Sequence, residues 1–276
     1  MVKRLLTAAV GVPLSLLAVF KMPWVAFFLL CVLVFDWGAF EFVRLLRASA
    51  PHAPLTSLVA LVPLAALAIV LALDGGPFGR AAGAWMVSAA ALLSIGLSSL
   101  VLFSRTPVQE GLAALGILSF GIPYFALPIA SITWLQRHNP WLVFLLCAIV
   151  WLGDTAALYF GSLLGKRRLA PVVSPKKSWE GALAGFLVSV IATAVWSYCQ
   201  LGRIDGPLVA VGAVTAIAAQ IGDLVESLLK RGVGVKDSGG VLPGHGGMFD
   251  RMDSMLFAGP TLLVGLWAVG FEGLPL

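Results

Sequence analysis

The chain contains 276 residues, of which 60% are hydrophobic and only 11% are charged. Soluble domains carry about 25% charged residues and need a polar surface, so this composition excludes a water-soluble globule and indicates a polytopic membrane protein. The formal net charge of +5 is attributed to loops at a membrane surface, where lysine and arginine meet anionic lipid, and no nucleic-acid partner is expected.

Nine apolar stretches follow one another along the chain, and each approaches the ~20 residues that a helix needs to cross a bilayer. The sequence therefore predicts an all-α integral membrane protein with about nine transmembrane helices. The predicted spans cover residues 5–20, 24–46, 55–73, 82–103, 112–134, 141–163, 181–200, 207–229 and 254–271.

Basic residues predict the orientation of these spans. If the N-terminus is cytoplasmic, fourteen of the eighteen lysines and arginines fall in cytoplasmic segments. The four that would lie outside are Lys21, Arg80, Arg137 and Arg203. Positive residues accumulate on the cytoplasmic side of membrane proteins, so a cytoplasmic N-terminus and an external C-terminus are expected. The charged loops 164–180 and 230–253 then face the cytoplasm, where nucleotides are available.

Ionisable side chains divide the chain at about residue 140. Residues 1–140 are interpreted as a scaffold of transmembrane helices, in which Glu41 and Arg44 form a structural pair near a helix end. Residues 141–276 are predicted to carry the chemistry. Their first candidate is Asp154, because an acid within a bilayer is costly unless it faces an aqueous cavity or bonds to a neighbouring helix.

The predicted loop 164–180 is strongly basic. Its five basic residues are Lys166, Arg167, Arg168, Lys176 and Lys177. The loop either contacts lipid headgroups or binds substrate phosphates through its lysines and the hydroxyls of Ser174 and Ser178. Pro175 favours phosphate binding, since it restrains a loop that a purely topological role need not order. Ser178, which lies ahead of Glu180 and an apolar run, predicts the start of a helix.

The eighth span carries a polar stripe on an otherwise apolar helix. Its members, which share one helical face, are Gln220, Asp223, Glu226, Ser227 and Lys230. Such a stripe must face protein or water rather than lipid. Taken alone, it suits a transport pathway as well as an enzyme site.

Residues 232–247 contain seven glycines among sixteen residues. Glycines let backbone N–H groups approach an anion closely, although a flexible turn has the same composition. His245 could act as a base, a phosphate donor or a turn residue. Asp250 and Asp253 follow, three positions apart on one face at the start of the ninth span. Carboxylates and basic residues in one short segment indicate a divalent cation that bridges the protein and substrate phosphates.

These residues resemble the signature of the phosphatidate cytidylyltransferase (CDP-diacylglycerol synthase) family. The matching positions lie within 27 residues and are Ser227, Leu229, Lys230, Arg231, Lys236, Asp237, Gly239, Leu242, Pro243, His245, Gly246, Gly247, Met248, Asp250, Arg251, Met252 and Asp253. Gly153-Asp154 with Tyr159, and Ser174-Pro175-Lys176-Lys177, are similar to other motifs of the family. Ser178 departs from the threonine of the family pattern but keeps the hydroxyl.

The resemblance implies that CTP and phosphatidate are converted to CDP-diacylglycerol and pyrophosphate, with magnesium at one or two cation sites. Asp223 and Asp250 are then expected to hold the cation, whereas Asp237, counted among the catalytic residues, and Asp253, counted among the metal ligands, are second-rank ligands or orient the nearby basic residues. The remaining expected site residues are catalytic Lys236 and His245 and substrate-binding Ser174, Lys176, Lys177, Ser178, Ser227, Lys230, Arg231, Arg251 and Asp154.

Two other functions remain open from the residues. A CTP-dependent polyprenol or lipid kinase would also need spans, a metal and a phosphate loop, but it would release CDP. A cation-coupled transporter could use Asp154 and Asp223, although transport does not call for a glycine-rich loop among so many charges. The expected location is a bacterial inner membrane with the active site facing the cytoplasm. The sequence carries no signal for the oligomeric state, and a homodimer is one option.

Overall fold

The protein is described from a computed structural model, which covers residues 2–75, 95–96, 99–104, 106–239 and 247–271. Helices dominate this part of the chain, so the predicted fold class, an all-α membrane protein, is confirmed. The long helices are α1 (Val2–Lys21), α2 (Trp24–Leu46), α3 (Ser57–Gly75), α4 (Val108–His138), α5 (Pro140–Leu164), α6 (Trp179–Leu201), α7 (Gly206–Gly232) and α8 (Phe249–Ala268).

Within the described ranges, five helical segments are long and apolar enough to cross a membrane: α2 with the 3₁₀ turn Arg47–Ser49, and α4 to α7. Shorter apolar helical stretches lie at Gly11–Lys21 and Ser57–Leu73. Eight of the predicted spans therefore coincide with helices. Most of the predicted span 82–103 lies outside the described residues, apart from its end, where Ser99–Phe103 forms a 3₁₀ helix.

A small hairpin replaces part of the predicted loop 164–180. Strands β1 (Arg168–Ala170) and β2 (Ser174–Ser178) pair antiparallel, with Arg168 opposite Ser178 and an irregular register between the two ends. Five basic residues and two prolines in this segment gave no apolar alternation that would predict a strand. Ser178 ends β2 and caps α6, because its hydroxyl accepts the Gly181 N–H at 3.2 Å. The predicted helix start at Ser178 is confirmed.

Helices α5 and α6 approach each other through small residues. Gly153, Ala157 and Gly161 recur every fourth residue on α5, as Gly181, Gly185 and Ser189 do on α6. A Cβ on Gly185 would lie 2.7 Å from the Gly153 carbonyl oxygen, and one on Gly181 would lie 2.6 Å from that of Ala157. Small residues at this spacing let membrane helices pack backbone to backbone, so this pair forms a close antiparallel unit.

Aromatic packing fixes the start of α8 against the scaffold helices. The Phe249 ring lies 5.9 Å from that of Phe42 on α2 and 5.8 Å from that of Phe125 on α4, and all three side chains are fully buried. Aromatic contacts of this kind add about 0.5–1.5 kcal/mol each beyond the area that they bury. Gly38 of α2 leaves room for Met252, whose Sδ would lie 2.7 Å from an added Cβ. The N-terminal half therefore determines where the first turn of α8 is held.

Candidate functional site

The polar stripe of α7 faces protein, as predicted. The Gln220 side-chain amide donates to the Ala182 carbonyl of α6 at 3.0 Å. Asp223 pairs with Lys177 of β2, and Lys230 pairs with Asp250 of α8. One helix face therefore meets α6, the hairpin and α8 in turn, and acidic groups of α7 and α8 come together along it.

Three carboxylates form a tight group where α7 meets α8. One oxygen from each of Asp223, Glu226 and Asp253 lies within 4.8 Å of the other two. Gly222 makes this approach possible, because a Cβ there would lie 2.6 Å from the Asp253 carbonyl oxygen. We call Asp223, Glu226 and Asp253 the carboxylate cluster.

The carboxylate cluster fits a hard cation. Oxygen ligands on a small, shared centre are what Mg²⁺ and Ca²⁺ prefer. Glu226 is 1% exposed, and its Oε1 has no hydrogen-bond partner among the described residues. Burial raises the pKa of Asp253, which precedes the predicted span 254–271, and the neighbouring Asp223 carboxylate raises that pKa further. A divalent cation would offset this repulsion between like charges and give the unpaired oxygen a ligand role.

Two lysines border the carboxylate cluster from opposite sides. Lys177 of β2 forms an ion pair with Asp223, and both side chains are about 30% exposed (28% and 29%). Lys230 lies one turn after Glu226 and its Nζ is 2.6 Å from the Glu226 carboxylate and 2.6 Å from that of Asp250. The cluster is therefore flanked by positive charge that can also attract a phosphate.

Asp250 is engaged by Lys230, by two backbone N–H groups and by the neighbouring Glu226. Its Oδ1 accepts from Lys230 at 2.6 Å, and its Oδ2 accepts the backbone N–H groups of Ser238 at 3.2 Å and Gly247 at 2.8 Å. Burial alone would raise the pKa of Asp250, but its hydrogen bonds, first with Glu226 and then with Lys230 and the Gly247 N–H, outweigh burial and hold the pKa below the usual range of an aspartate. Asp250 thus stays ionised and ties together the segments on either side of residues 240–246.

Asp154 of α5 completes the acidic group from a third side. Its side chain is exposed, and it interacts electrostatically with Asp223, Lys177 and Asp253. The structure therefore brings together six of the predicted site residues: Asp154, Lys177, Asp223, Lys230, Asp250 and Asp253.

The other predicted site residues lie around this centre or beyond it. Arg231 reaches back to the carbonyls of Val173, at 3.4 Å, and Val235, at 2.9 Å. Exposed residues include Lys176, Lys236, Asp237 and Arg251, whereas Ser174 and Ser227 are half-buried and Ser178 is buried as the cap of α6. His245 lies outside the described residues.

Two residues at the centre were not assigned a site role from the sequence. Glu226 appeared in the polar stripe, so its spacing from Asp223 was the available signal. Tyr124 of α4 gave no signal, because it lies in an ordinary apolar stretch. Its ring packs among Phe120, Phe249 and Phe257, while its buried hydroxyl has no hydrogen-bond partner in the described part of the chain and interacts electrostatically with the carboxylate cluster.

Comparisons with known proteins identify the family of this chain. The model of the Cytidylyltransferase family matches residues 2–269. The chain is 33% identical over 268 residues to the phosphatidate cytidylyltransferase of Bacillus subtilis, which covers 95% of this chain and 96% of that protein. It is 49% identical over 115 residues to the phosphatidate cytidylyltransferase of Staphylococcus epidermidis, which covers 41% of this chain and 44% of that protein. The resemblance seen in the sequence is confirmed: the chain belongs to the cytidylyltransferase family.

Proposed function

We propose that this protein is an integral membrane phosphatidate cytidylyltransferase, which makes CDP-diacylglycerol and pyrophosphate from CTP and phosphatidate. One structural observation at the candidate site supports the proposal. The carboxylate cluster lies between Lys177 and Lys230 at the charged ends of apolar helices, in a chain whose family match runs from residue 2 to residue 269. A lipid substrate accounts for the membrane setting, and a nucleotide accounts for the cation and phosphate chemistry.

The reaction needs charge neutralisation more than acid–base chemistry. An oxygen of the phosphatidate phosphate forms a bond to the α-phosphorus of CTP, the bond from that phosphorus to the bridging oxygen breaks, and pyrophosphate leaves. The attacking phosphate is already anionic, so no strong base is required. A bound divalent cation would neutralise the phosphate oxygens that approach one another. Lys177 and Lys230 add positive charge beside that position, and the burial of Glu226 limits screening by water on that side of the cluster.

We assign cation binding to Asp223, Glu226 and Asp253, with magnesium as the cation. This set differs from the sequence-based one, which contained Asp250 in place of Glu226. The bonds from Lys230, Ser238 and Gly247 to Asp250 support the change. Asp250 then orders the chain around the site, and Asp154 contributes negative charge to the same centre.

The remaining predicted residues keep their roles in the proposal. Phosphate contacts are assigned to the basic residues and hydroxyls that surround the centre: Ser174, Lys176, Ser178, Ser227, Arg231, Lys236 and Arg251. Asp237 and His245 remain candidates for orienting these groups or the substrates. In this proposal residues 1–140 are mainly scaffold and residues 141–276 hold the site.

We also propose the number of membrane spans and their orientation. The excess of lysine and arginine on one side supports nine spans with a cytoplasmic N-terminus and an external C-terminus. The hairpin and the segment after α7 then face the cytoplasm. The bacterial relatives support a location in the inner membrane. A homodimer is compatible with this arrangement.

The direct test uses purified, detergent-solubilised protein with α-labelled CTP, phosphatidate and magnesium. Label that enters a chloroform-soluble product only when phosphatidate is present supports the proposal. Label that stays aqueous as CDP while a supplied polyprenol becomes phosphorylated would identify a lipid kinase instead. Absence of turnover with either lipid would contradict both activities and favour a transporter.

A further inference from the structure

Glu41 connects the N-terminal scaffold to the two chain segments that flank residues 240–246. It lies near the end of α2 and is 3% exposed. Its Oε2 accepts a hydrogen bond from the Ser238 hydroxyl at 2.9 Å and another from the Phe249 backbone N–H at 2.9 Å. One buried carboxylate therefore bonds to a residue before this stretch and to a residue after it.

Two glycines of the family signature lie directly against the Glu41 carboxylate. A Cβ on Gly239 would lie 2.6 Å from Glu41 Oε1, and a Cβ on Gly247 would lie even closer to Oε2. Because Glu41 is buried and hydrogen-bonded, its carboxylate cannot move aside cheaply. Glycine is thus required at both positions by a side chain that comes about 200 residues earlier, as the separation of 197 residues between Glu41 and Ser238 shows.

A continuous series of hydrogen bonds links Glu41 to the carboxylate cluster. Ser238, which donates its hydroxyl to Glu41, also donates its N–H to Asp250 at 3.2 Å. Asp250 accepts from Lys230 at 2.6 Å. Lys230 in turn lies 2.6 Å from Glu226, a member of the carboxylate cluster.

The bond from Phe249 adds a second connection. Phe249 is the first residue of α8, and a carboxylate at a helix N-terminus satisfies a free N–H group and interacts favourably with the helix dipole. Asp250 and Asp253 follow within the next turn. Glu41 therefore fixes the origin of the helix that presents both aspartates.

We propose that Glu41 is a positioning residue for the nucleotidyl-transfer site: it holds the chain on either side of residues 240–246 against α2, and thereby keeps Asp250 and Lys230 in place beside the carboxylate cluster. The proposal rests on the proposed function. It replaces the sequence-based view of Glu41 as one half of a local pair with Arg44. Glu41 itself touches neither substrate nor cation and acts through Ser238, Phe249 and Asp250.

Two variants of Glu41 distinguish the effect of side-chain length from the effect of charge. Glu41→Asp keeps the charge but is shorter by one methylene, so it cannot bond to both segments. Glu41→Gln keeps the length and one acceptor oxygen. We expect kcat to fall at least tenfold in Glu41→Asp and to stay within about threefold in Glu41→Gln, with the KM for CTP changed less than kcat.

Glu110→Asp is the matched control. Glu110 also accepts bonds from a distant segment, namely the N–H of His52 at 2.9 Å and its ring Nδ1 at 2.6 Å, but it contacts no residue of the cluster. We expect Glu110→Asp to change thermal stability in detergent less than Glu41→Asp, because its bonds to His52 are exposed, and to leave kcat within about twofold. Equal kcat values for the two aspartate variants would overturn the proposal.

A second measurement does not depend on activity. Trypsin cleavage after exposed Lys236 should be at least several-fold faster in Glu41→Asp and in Glu41→Ala than in the natural protein, and unchanged in Glu110→Asp. If the natural protein makes no lipid product, the proposed function fails, but this proteolysis still tests the anchoring by Glu41. Unchanged cleavage in the Glu41 variants would contradict it.

A larger residue at position 239 combined with a shorter one at position 41 provides the most specific test. Gly239→Ala alone should impair activity because its Cβ meets the Glu41 carboxylate. Combined with Glu41→Asp, which opens space, it should lose less activity than the product of the two single losses predicts. Strictly multiplicative losses would show that the two positions act independently and would overturn the proposal.

Discussion

Lys177 of β2 forms an ion pair with Asp223 of α7, so the basic hairpin is attached directly to the helix that carries two members of the carboxylate cluster. This ion pair favours a role for the hairpin in the candidate site over one limited to lipid headgroups. Its backbone is held in the same place by Glu180, whose carboxylate accepts the N–H groups of Lys166, at 3.1 Å, and Arg167, at 3.2 Å.

Replacement of Lys177 should lower activity strongly. Lys177→Ala removes the positive charge next to Asp223, and we expect a loss of about 100-fold in kcat, comparable to the loss of one preorganised electrostatic contact. Lys177→Arg keeps the charge with a different shape and should recover part of the rate. The measurement is the initial rate of label transfer into lipid. Lys166→Ala, an exposed lysine of the same connection, should stay within about twofold.

The cation requirement should distinguish Glu226 from Asp250. Asp223→Asn, Glu226→Gln and Asp253→Asn each remove a proposed ligand charge, so the magnesium concentration for half-maximal rate should rise about tenfold or more. Asp250→Asn should lower the rate without this rise. In the absence of substrate, magnesium should raise the Tm of the natural protein, because a ligand that binds the folded state stabilises it, and should do so less in the three cluster variants.

The opposite pattern would support the cation ligands that were predicted from the sequence. If Asp250→Asn shifts the magnesium dependence and Glu226→Gln leaves it unchanged, Asp250 binds the cation and Glu226 is not a ligand.

The contact between α7 and α8 at Gly222 should be intolerant of a methyl group. Gly222→Ala places a Cβ 2.6 Å from the Asp253 carbonyl oxygen and 3.2 Å from the Phe257 ring. We expect the free energy of unfolding to fall by about 1–3 kcal/mol and the activity to fall with it, since the carboxylate cluster spans this contact.

Gly116→Ala is the control for the Gly222 variant. Gly116 lies within α4 with no atom near an added Cβ, so alanine should stabilise the protein by about 0.5–1 kcal/mol or have no effect. Thermal unfolding in detergent measures both variants. A Gly222→Ala protein as stable as Gly116→Ala would mean that the two helices separate without cost.

Labelling of single cysteines tests the proposed topology. In a background without Cys31, Cys147 and Cys199, a cysteine placed by Arg203→Cys should react with a membrane-impermeant maleimide in intact cells. A cysteine placed by Lys166→Cys should react only after lysis. Reaction of the Lys166 variant in intact cells, with protection of the Arg203 variant, would show that the orientation is reversed.

Hydropathy predicted most of the fold because length and apolar composition are local properties of the chain. The eight predicted spans that coincide with described helices were visible in this way. The hairpin was not visible in the sequence, because charged residues and Pro171 gave no strand pattern. Its strands are stabilised by contacts with Glu180 and α7. The close packing of α5 on α6 left a signal in the four-residue spacing of Gly153, Ala157 and Gly161, which the hydropathy of the span obscured.

The site was predicted less completely because spacing shows which face of a helix is polar but not what lies opposite. The stripe from Gln220 to Lys230 was correct as a face. Tyr124 of α4, which lies near the stripe, and Glu41 of α2, which bonds to Ser238 and Phe249, come from a region interpreted as scaffold. Asp250 was assigned to the cation because it lies at the start of a helix beside the glycine-rich segment, and only its bonding to Lys230, Ser238 and Gly247 shows that its oxygens are engaged.

The anchoring of α8 by Glu41 has a consequence for biosynthesis. Phe249 is made 208 residues after Glu41, and at roughly 5–20 residues per second this delay lasts roughly 10–40 s. Throughout that time Glu41 lies in a membrane-spanning segment, Trp24–Ser49, without the groups that later satisfy its carboxylate. An ionisable group in this setting is costly until its partners arrive. The bonding of Glu41 on the second helix is therefore completed only when α8 is made, and a chain that stops before Ser238 lacks both groups that donate to this acid.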